Sequence, residues 1–268
     1  MFWGKFLSKK CFFFVRGEIN LITPYYIYQS TIKLSAITVP WAISSKCSIT
    51  HKRGLHSEEN AKFFIIQPVD SNDTEELERQ ITYIEDNSQT PFIHIAIRIN
   101  KWNAELTPWP APPVFGKVPF GDGAHSTLLY IIEQLIPTLK TQFALELNKS
   151  NTILGGYSLA GLFSLWVSYQ QNVPFHGIVS ASPSAWYTGW LDYANSHQPQ
   201  VEHAYLSLGD KEEKTKTKMM STISKDILRQ EQIFKDKGVN CKMEWNEGNH
   251  FQDNGVRIAK GFVWLMHQ

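Results

Sequence analysis

One seven-residue stretch, Gly155-Gly156-Tyr157-Ser158-Leu159-Ala160-Gly161, restricts what this chain can fold into more than any other. It joins an apolar run beginning at Thr152 to the segment LAGLFSLWVSY, so a strand has to turn into a helix with no loop between them. A serine at the apex of such a turn sits in a strained backbone, and only small residues two before and two after it let strand and helix pack that closely. Gly156 and Ala160 fill those positions. The turn exposes the Ser158 hydroxyl at a helix N-terminus, where the macrodipole and free N–H groups favour developing negative charge, and it makes the Leu159 N–H an oxyanion donor. The helix is apolar nearly all round, which marks it as buried in the middle of the molecule.

Apolar runs and amphipathic segments alternate on both sides of this turn. FFIIQ from Phe63 reads as a strand; the helix after it is capped by Asn72 or Asp73, carries Glu75 and Glu76 in its first turn, and presents Leu77, Ile81 and Ile84 on one face. FIHIAIR is apolar almost without a break, which suits a central parallel strand covered on both faces. Ser126 caps the helix STLLYIIEQLIPTLKTQF, which Pro137 should kink near its last turns. The second half continues with strand 152–154, helix 159–169, strands 177–180 and 204–208, a polar helix 221–237, strand 241–245 and a final helix 256–266. This order predicts an α/β fold over residues 1–268, a mostly parallel, doubly wound sheet flanked by helices, with its ligand site where the carboxyl ends of the strands open into loops.

Two segments break the alternation. Residues 1–60 combine a β-rich stretch, 25–39, with a polar turn at Thr50-His51-Lys52-Arg53-Gly54, and read as an irregular N-terminal region at the sheet edge. Residues 100–123 hold Pro108, Pro110, Pro112, Pro113 and Pro119, which remove donors and fix φ, so neither helix nor interior strand should persist there. Trp102, Trp109, Phe115 and Phe120 give this long loop apolar surface, as a lid or a pocket wall would need.

Composition narrows the function classes. Of 268 residues 43 % are apolar and 13 % aromatic, enough for a sizeable core, while 26 Lys plus Arg against 25 Asp plus Glu give no field that would draw nucleic acid or an anionic membrane. The apolar run from Cys11 to Val15 is closed by Arg16, short of the ~7–15 residues of a signal-peptide core or the ~20 of a membrane span. A soluble, cytoplasmic protein is expected. Cys11, Cys47 and Cys241 form neither a disulfide framework nor a C-x-x-C pair, and there is no H-E-x-x-H, so neither metal nor cofactor is expected. Gly155-Gly156 also lacks the G-x-G-x-x-G spacing of dinucleotide binding.

A serine becomes nucleophilic only beside a general base, and a strand-to-helix nucleophile has its acid and then its base later in the chain, at strand ends. Of the nine histidines, His51 and His56 precede Ser158, His94 sits mid-strand, His125 precedes a helix, His176 and His203 introduce strands, His197 lies in a polar loop and His267 ends the chain. His250 remains, in the turn Asn246-Glu247-Gly248-Asn249-His250-Phe251 after the last predicted strand. The acid is one of the three carboxylates that follow Gly209: Asp210, Glu212 or Glu213.

GYSLAG followed by LFSLW, the serine-rich SASPSAWY, LGDKEEK and the late GNHF resemble the esterase D-like and enterobactin (siderophore) esterase-like branch of the α/β-hydrolases over residues 60–268. The resemblance implies an α/β-hydrolase fold and a serine hydrolase that cleaves a carboxylic, siderophore-like ester, with Ser158 as nucleophile, His250 as base and Glu212, three residues after Gly209, as acid. It also implies a second oxyanion donor from the loop after the third strand, placed at 99–102 and so including Asn100, Lys101 and Trp102, and a basic residue, Arg98, to meet an anionic or catecholate part of the substrate. Trp102, Trp109, Trp186 and Tyr187 are candidate pocket residues, and Ser182-Pro183-Ser184 faces the same rim. The partner expected is a small-molecule ester. The rivals are thioester or peptide cleavage by the same triad, and a non-catalytic relative that binds through the Trp-rich loop.

Overall fold

The computed structural model describes residues 28–29, 47–51, 61–70, 74–114, 116–215 and 217–268. Among the described residues eight strands form one sheet: β1 (Tyr28–Gln29), β2 (Cys47–His51), β3 (Phe63–Val69), β4 (Phe92–Arg98), β5 (Thr152–Tyr157), β6 (Gly177–Ala181), β7 (His203–Gly209) and β8 (Asn240–Asn246), in the order β1-β2-β4-β3-β5-β6-β7-β8. β2 runs antiparallel to β4 and the other pairs are parallel. The helices are α1 (Thr74–Asn87), α2 (Trp102–Glu105), α3 (Ala124–Leu129), α4 (Ile136–Gln142), α5 (Leu159–Val167), α6 (Trp190–Ser196), α7 (Ile223–Asp236) and α8 (Asn254–Leu265).

Strands β3 to β7 are buried along almost their whole length, which is why they read as unbroken apolar runs rather than alternating ones. Ile65, Ile153, Val179 and Tyr205 point to one face, where Ile84 of α1 and Ile258, Phe262 and Leu265 of α8 cover them. Phe64, Ile66, Ile93, Ile95, Leu154, Ile178 and Leu206 point to the other, against α3, α5 and α7. Among the described residues no helix is long and apolar enough to cross a membrane.

Several elements depart from what the sequence predicts. Thr50 and His51 belong to β2, where they pair with His94 and Ile93, instead of forming a turn; β4 is therefore parallel to β3 on one side and antiparallel to β2 on the other. The cap positions Asn72 and Asp73, like Phe115, lie outside the described residues. Helix α3 starts at Ala124, ahead of Ser126, because the Thr127 N–H already bonds to the Gly123 carbonyl at 3.0 Å. Pro137 produces its irregularity upstream: residues Tyr130–Leu135 wind as a π-helix, with the Ile136 N–H reaching the Ile131 carbonyl, and Pro137 then stands in the first turn of α4, where its missing N–H costs nothing. Strand β5 runs through Gly155, Gly156 and Tyr157, which pair with Val179, Ser180 and Ala181 of β6. The 100–123 segment contains the helical turn α2 and a bridge between Ala111 and Phe120, so it is not wholly irregular.

One buried polar knot sits between β3, β4 and α1. The Gln80 amide donates to the Gln67 carbonyl oxygen at 2.7 Å, and His94 Nε2 lies 2.9 Å from Gln67 Oε1 and 3.0 Å from Gln80 Nε2. Burial lowers the pKa of the His94 imidazole from 6.5 to about 3. Below pH 6.5 the unfolded chain takes up a proton that the folded chain refuses, so this residue leaves stability untouched above pH 6.5 and erodes it as pH falls towards 3, by about 1.4 kcal/mol per pH unit. His94→Gln is expected to remove about 2 kcal/mol of the stability lost between pH 7 and pH 5. Urea midpoints at both pH values check this, and equal losses in the two proteins would refute it.

Candidate active site

Ser158 occupies the N-cap of α5 with φ +58° and ψ −119°, a conformation that is strained for any residue with a side chain. Its N–H donates to the Ala181 carbonyl at 3.2 Å, which ties the turn to β6, and its own carbonyl accepts from the N–H groups of Leu162 at 3.0 Å and Ser184 at 3.1 Å. A Cβ built on Gly156 would lie 2.1 Å from the Ala160 carbonyl oxygen, so only glycine lets the first turn of α5 rest on β5. All nine residues of α5 are buried. As its first residue, Leu159 has an N–H with no intrahelical acceptor.

The ends of the neighbouring strands bring the rest together. His250, in the turn after β8, places Nε2 3.1 Å from Ser158 Oγ and Nδ1 2.7 Å from Glu212 Oε2, in the turn after β7. An ionised carboxylate can only accept, so Nδ1 donates to it and the neutral ring presents its Nε2 lone pair to the serine hydroxyl. Of the three carboxylates that follow β7, Glu212 is the one that meets His250. Asp210 turns the other way and accepts the Gly248 N–H at 2.8 Å, bracing the histidine turn, and Glu213 is exposed.

The Glu212 side chain is only 4 % exposed. Burial works to raise its pKa, but the hydrogen bond and charge of His250, the Ser182 hydroxyl and the Gly209 N–H outweigh that and hold the carboxyl below the usual glutamate value. Its second oxygen, Oε1, accepts from Ser182 Oγ at 2.6 Å, the Gly209 N–H at 2.8 Å and Arg257 NH1 at 3.0 Å. Tyr157, just before the serine, donates from its hydroxyl to the His250 carbonyl at 2.9 Å, and its ring lies 5.3 Å from the imidazole, tilted by 49°. Burial, with the charge of Glu212, pushes the Tyr157 phenol well above its ordinary pKa, so it stays a hydrogen-bond donor.

The residues expected to complete the site are less uniformly placed. Residues 99–102 follow β4, the fourth strand in chain order, while the third, β3, ends at Val69. The Ile99 N–H is taken by the Val69 carbonyl at 3.0 Å and the Lys101 N–H by the Glu105 carboxylate at 2.9 Å. Arg98, Asn100 and Lys101 are exposed and Trp102 is half-buried, and none of the four is hydrogen-bonded to a triad side chain. Trp186 is buried, in ring contact with Phe120 at 6.2 Å and Tyr187 at 6.5 Å, two residues beyond the Ser184 that bonds to the Ser158 carbonyl. The Trp109 indole N–H donates to the Thr188 carbonyl at 2.8 Å, and the Tyr187 hydroxyl returns a bond to the Trp109 carbonyl at 2.5 Å. The Pro/Trp segment is thus pinned to residues 186–188 as a wall.

Sequence reasoning missed Tyr157 and Arg257 altogether, and assigned Ser182 only to a rim. Arg257 carried a readable signal: with Ile258, Gly261, Phe262 and Leu265 it falls on the buried face of α8, where a lone cation needs an anion. Ser182 has a positive φ of 43°, which turns its hydroxyl towards Glu212, and nothing in its neighbours announces that.

The Esterase family model, described as "Putative esterase", matches residues 72–253. The chain is 27 % identical over 137 residues to "Uncharacterized protein YbbA" of Bacillus subtilis, a match covering 50 % of this chain and 55 % of that one, so the chain spans about half the length of this curated relative. Among solved structures it is similar to an IroE-like serine hydrolase from Shewanella oneidensis, at 15 % identity and a TM-score of 0.62 over 76 % of this chain and 70 % of that one. It is also similar to the siderophore hydrolase EstA from Aspergillus nidulans, at 19 % identity and a TM-score of 0.54 over 78 % of this chain and 84 % of that one. The enterobactin esterase FES from Shigella flexneri aligns at 16 % identity with a TM-score of 0.59, over 82 % of this chain and 54 % of that one. At such identities the likeness is one of fold, and the fold is that of the α/β-hydrolases.

Because the position a Cβ would take at Gly156 overlaps backbone rather than a movable side chain, Gly156→Ala is expected to cost at least the upper end of the usual overpacking range, about 3 kcal/mol. Thermal or urea unfolding checks it; a loss below about 1 kcal/mol would show that β5 and α5 can separate freely.

Proposed function

The chain belongs to the esterase family, and on that premise we propose that it is a serine hydrolase that cleaves a carboxylic ester of a small molecule through an acyl-enzyme. The observation that carries the reading is the continuous hydrogen-bonded chain from Ser158 Oγ through His250 to Glu212. Ser158 Oγ attacks the ester carbonyl carbon as its proton passes to His250 Nε2, and Glu212 steadies the imidazolium that forms. The Leu159 N–H, at the positive end of a buried helix, supplies one hydrogen bond to the oxyanion. The tetrahedral adduct collapses by breaking the bond to the alkoxy oxygen, which takes the proton from Nε2 and leaves as the alcohol. Water then attacks the acyl carbon, giving its proton to Nε2, and the acid departs as Ser158 regains its hydrogen. This sequence calls for no step through a metal or cofactor.

Solved relatives named for siderophores and for enterobactin make a siderophore ester the first natural substrate to try, with the half-buried Trp109, backed by the buried Phe120, Trp186 and Tyr187, as the aromatic surface for an aryl group. Wild-type protein is expected to label with a fluorophosphonate probe and to hydrolyse a short nitrophenyl ester. Ser158→Ala and His250→Ala should lose the label and about 10³-fold or more in rate. Glu212→Gln should lose about 10²- to 10⁴-fold, and Glu213→Gln should stay within about twofold of wild type. Folded wild-type protein that neither labels nor turns over ester would overturn the reading.

A further inference from the structure

We propose that Arg257 is the positioning residue of this site, a buried cation that fixes the orientation of Glu212 and, through Tyr157 and the Glu247 carbonyl, the turn that carries His250. The proposal rests on the esterase reading above and adds a residue that the triad alone does not require. Arg257 lies in the first turns of α8 and is 1 % exposed. Its NH1 lies 3.0 Å from Glu212 Oε1, 3.3 Å from the Tyr157 hydroxyl and 3.4 Å from Ser182 Oγ, and its NH2 donates to the Glu247 carbonyl at 2.8 Å. One guanidinium therefore touches the segments that follow β6, β7 and β8 and the last residue of β5.

The chain leaves room for that group and for little else. A Cβ on Gly209 would lie 2.4 Å from the Gly248 carbonyl oxygen and 2.8 Å and 3.0 Å from the two terminal nitrogens of Arg257; one on Gly248, where φ is +103°, would meet Gln252 Oε1 at 2.4 Å and Arg257 NH2 at 3.3 Å. Both glycines border the turns that hold the acid and the base, and the guanidinium shares that close-packed space with the Gly248 carbonyl and the Gln252 side chain. A buried ion pair is weak grounds for stability, since its desolvation offsets its attraction, whereas removing one partner strands the other. The pair is better explained by what it orients.

Other charges near Arg257 already have their own partners. Asp210 accepts from the Gly248 N–H, Glu247 pairs with Lys211, Glu76 of α1 pairs with Arg79 and accepts the Gly255 N–H, and Lys260 of the same helix pairs with Glu244 of β8. Among the described residues Glu212 is the carboxylate that meets Arg257, and His250 and Tyr157 are the titratable groups joined to the pair. Three donors on Oε1 leave Oε2 to His250 and stop the carboxylate from rotating. Without the cation the acid can swing, and the site, more negative, keeps its proton to higher pH.

The test uses the full chain with Arg257→Gln, which removes charge and fork, and Arg257→Lys, which keeps charge alone. Arg257→Gln is expected to lower kcat for a nitrophenyl ester about 10- to 100-fold with KM little changed, and to move the acid limb of kcat/KM upward by about one pH unit. Arg257→Lys should restore the limb and only part of kcat. Folded Arg257→Gln with wild-type kcat and an unmoved limb would overturn the proposal. If neither variant folds, Tyr157→Phe removes the Arg257 contact together with the bond to the His250 carbonyl, and Ser182→Ala removes it together with the bond to Glu212; a lowered kcat with a raised acid limb in either supports the proposal, and wild-type kinetics in both overturns it. The downfield proton resonance of His250 Nδ1 reads the same bond without turnover. A resonance that shifts in Arg257→Gln supports the proposal even where wild-type protein shows no esterase activity, and an unchanged one refutes it.

Discussion

A Cβ at residue 156 would sit 2.1 Å from the carbonyl oxygen of Ala160, closer than any real contact, and the rest of the site depends on that approach. Because β5 and α5 meet without a gap, Ser158 has to take a positive φ, and its hydroxyl stands clear at the edge where the parallel strands end. Because α5 is wholly buried, its N-terminal N–H groups face that same edge out of bulk water, where they act most strongly. The parallel neighbours β6, β7 and β8 end on this edge too. Their turns supply Ser182, Glu212 and His250 at hydrogen-bond range without any long loop to hold them.

Placing an acid there creates a second constraint. Glu212 and Arg257 are both nearly free of solvent, at 4 % and 1 % side-chain exposure, and each charge would be costly alone. The solution distributes the donors over several elements: a hydroxyl after β6, a backbone N–H at the end of β7, an imidazole after β8 and a guanidinium from α8. The face of the sheet covered by α8 thus reaches Glu212 through one side chain, Arg257, while the other buried residues of that face pack against each other.

The alternation of apolar runs with amphipathic segments made the fold legible, since period and burial both follow from parallel strands covered on two faces. Ser158 and His250, the proposed nucleophile and base, were legible for a local reason: each lies in a short turn whose small residues and flanking elements announce the geometry. The acid was not, because Asp210, Glu212 and Glu213 are equivalent as sequence. Only the folding back of the turn, with the Glu212 N–H on the Gly209 carbonyl at 3.2 Å, sends one inward and leaves another exposed. The antiparallel insertion of β2 beside β4 was hidden for the opposite reason, as strand pairing across forty residues leaves no local pattern. Arg257 lay between these cases. Its position on a buried helix face was readable, but not its partner 45 residues earlier.

The division between strand ends and wall bears on how such a site can change its substrate without losing its chemistry. The contacts that orient Ser158, His250 and Glu212 come from strand termini, from the helices α5 and α8 and from the turns between them, and a change there alters the geometry of the three side chains. The aromatic wall is held by a different set of bonds. Trp109 donates to the Thr188 carbonyl and accepts from the Tyr187 hydroxyl, the Ala111–Phe120 bridge closes the proline-rich stretch, and the Thr107 hydroxyl ties it to the Gly121 carbonyl at 2.9 Å. None of these bonds passes through a triad side chain. Replacing wall side chains therefore changes shape and apolar surface while leaving the proton path intact, which is the separation of rigid chemistry from variable loops that lets one fold serve many esters.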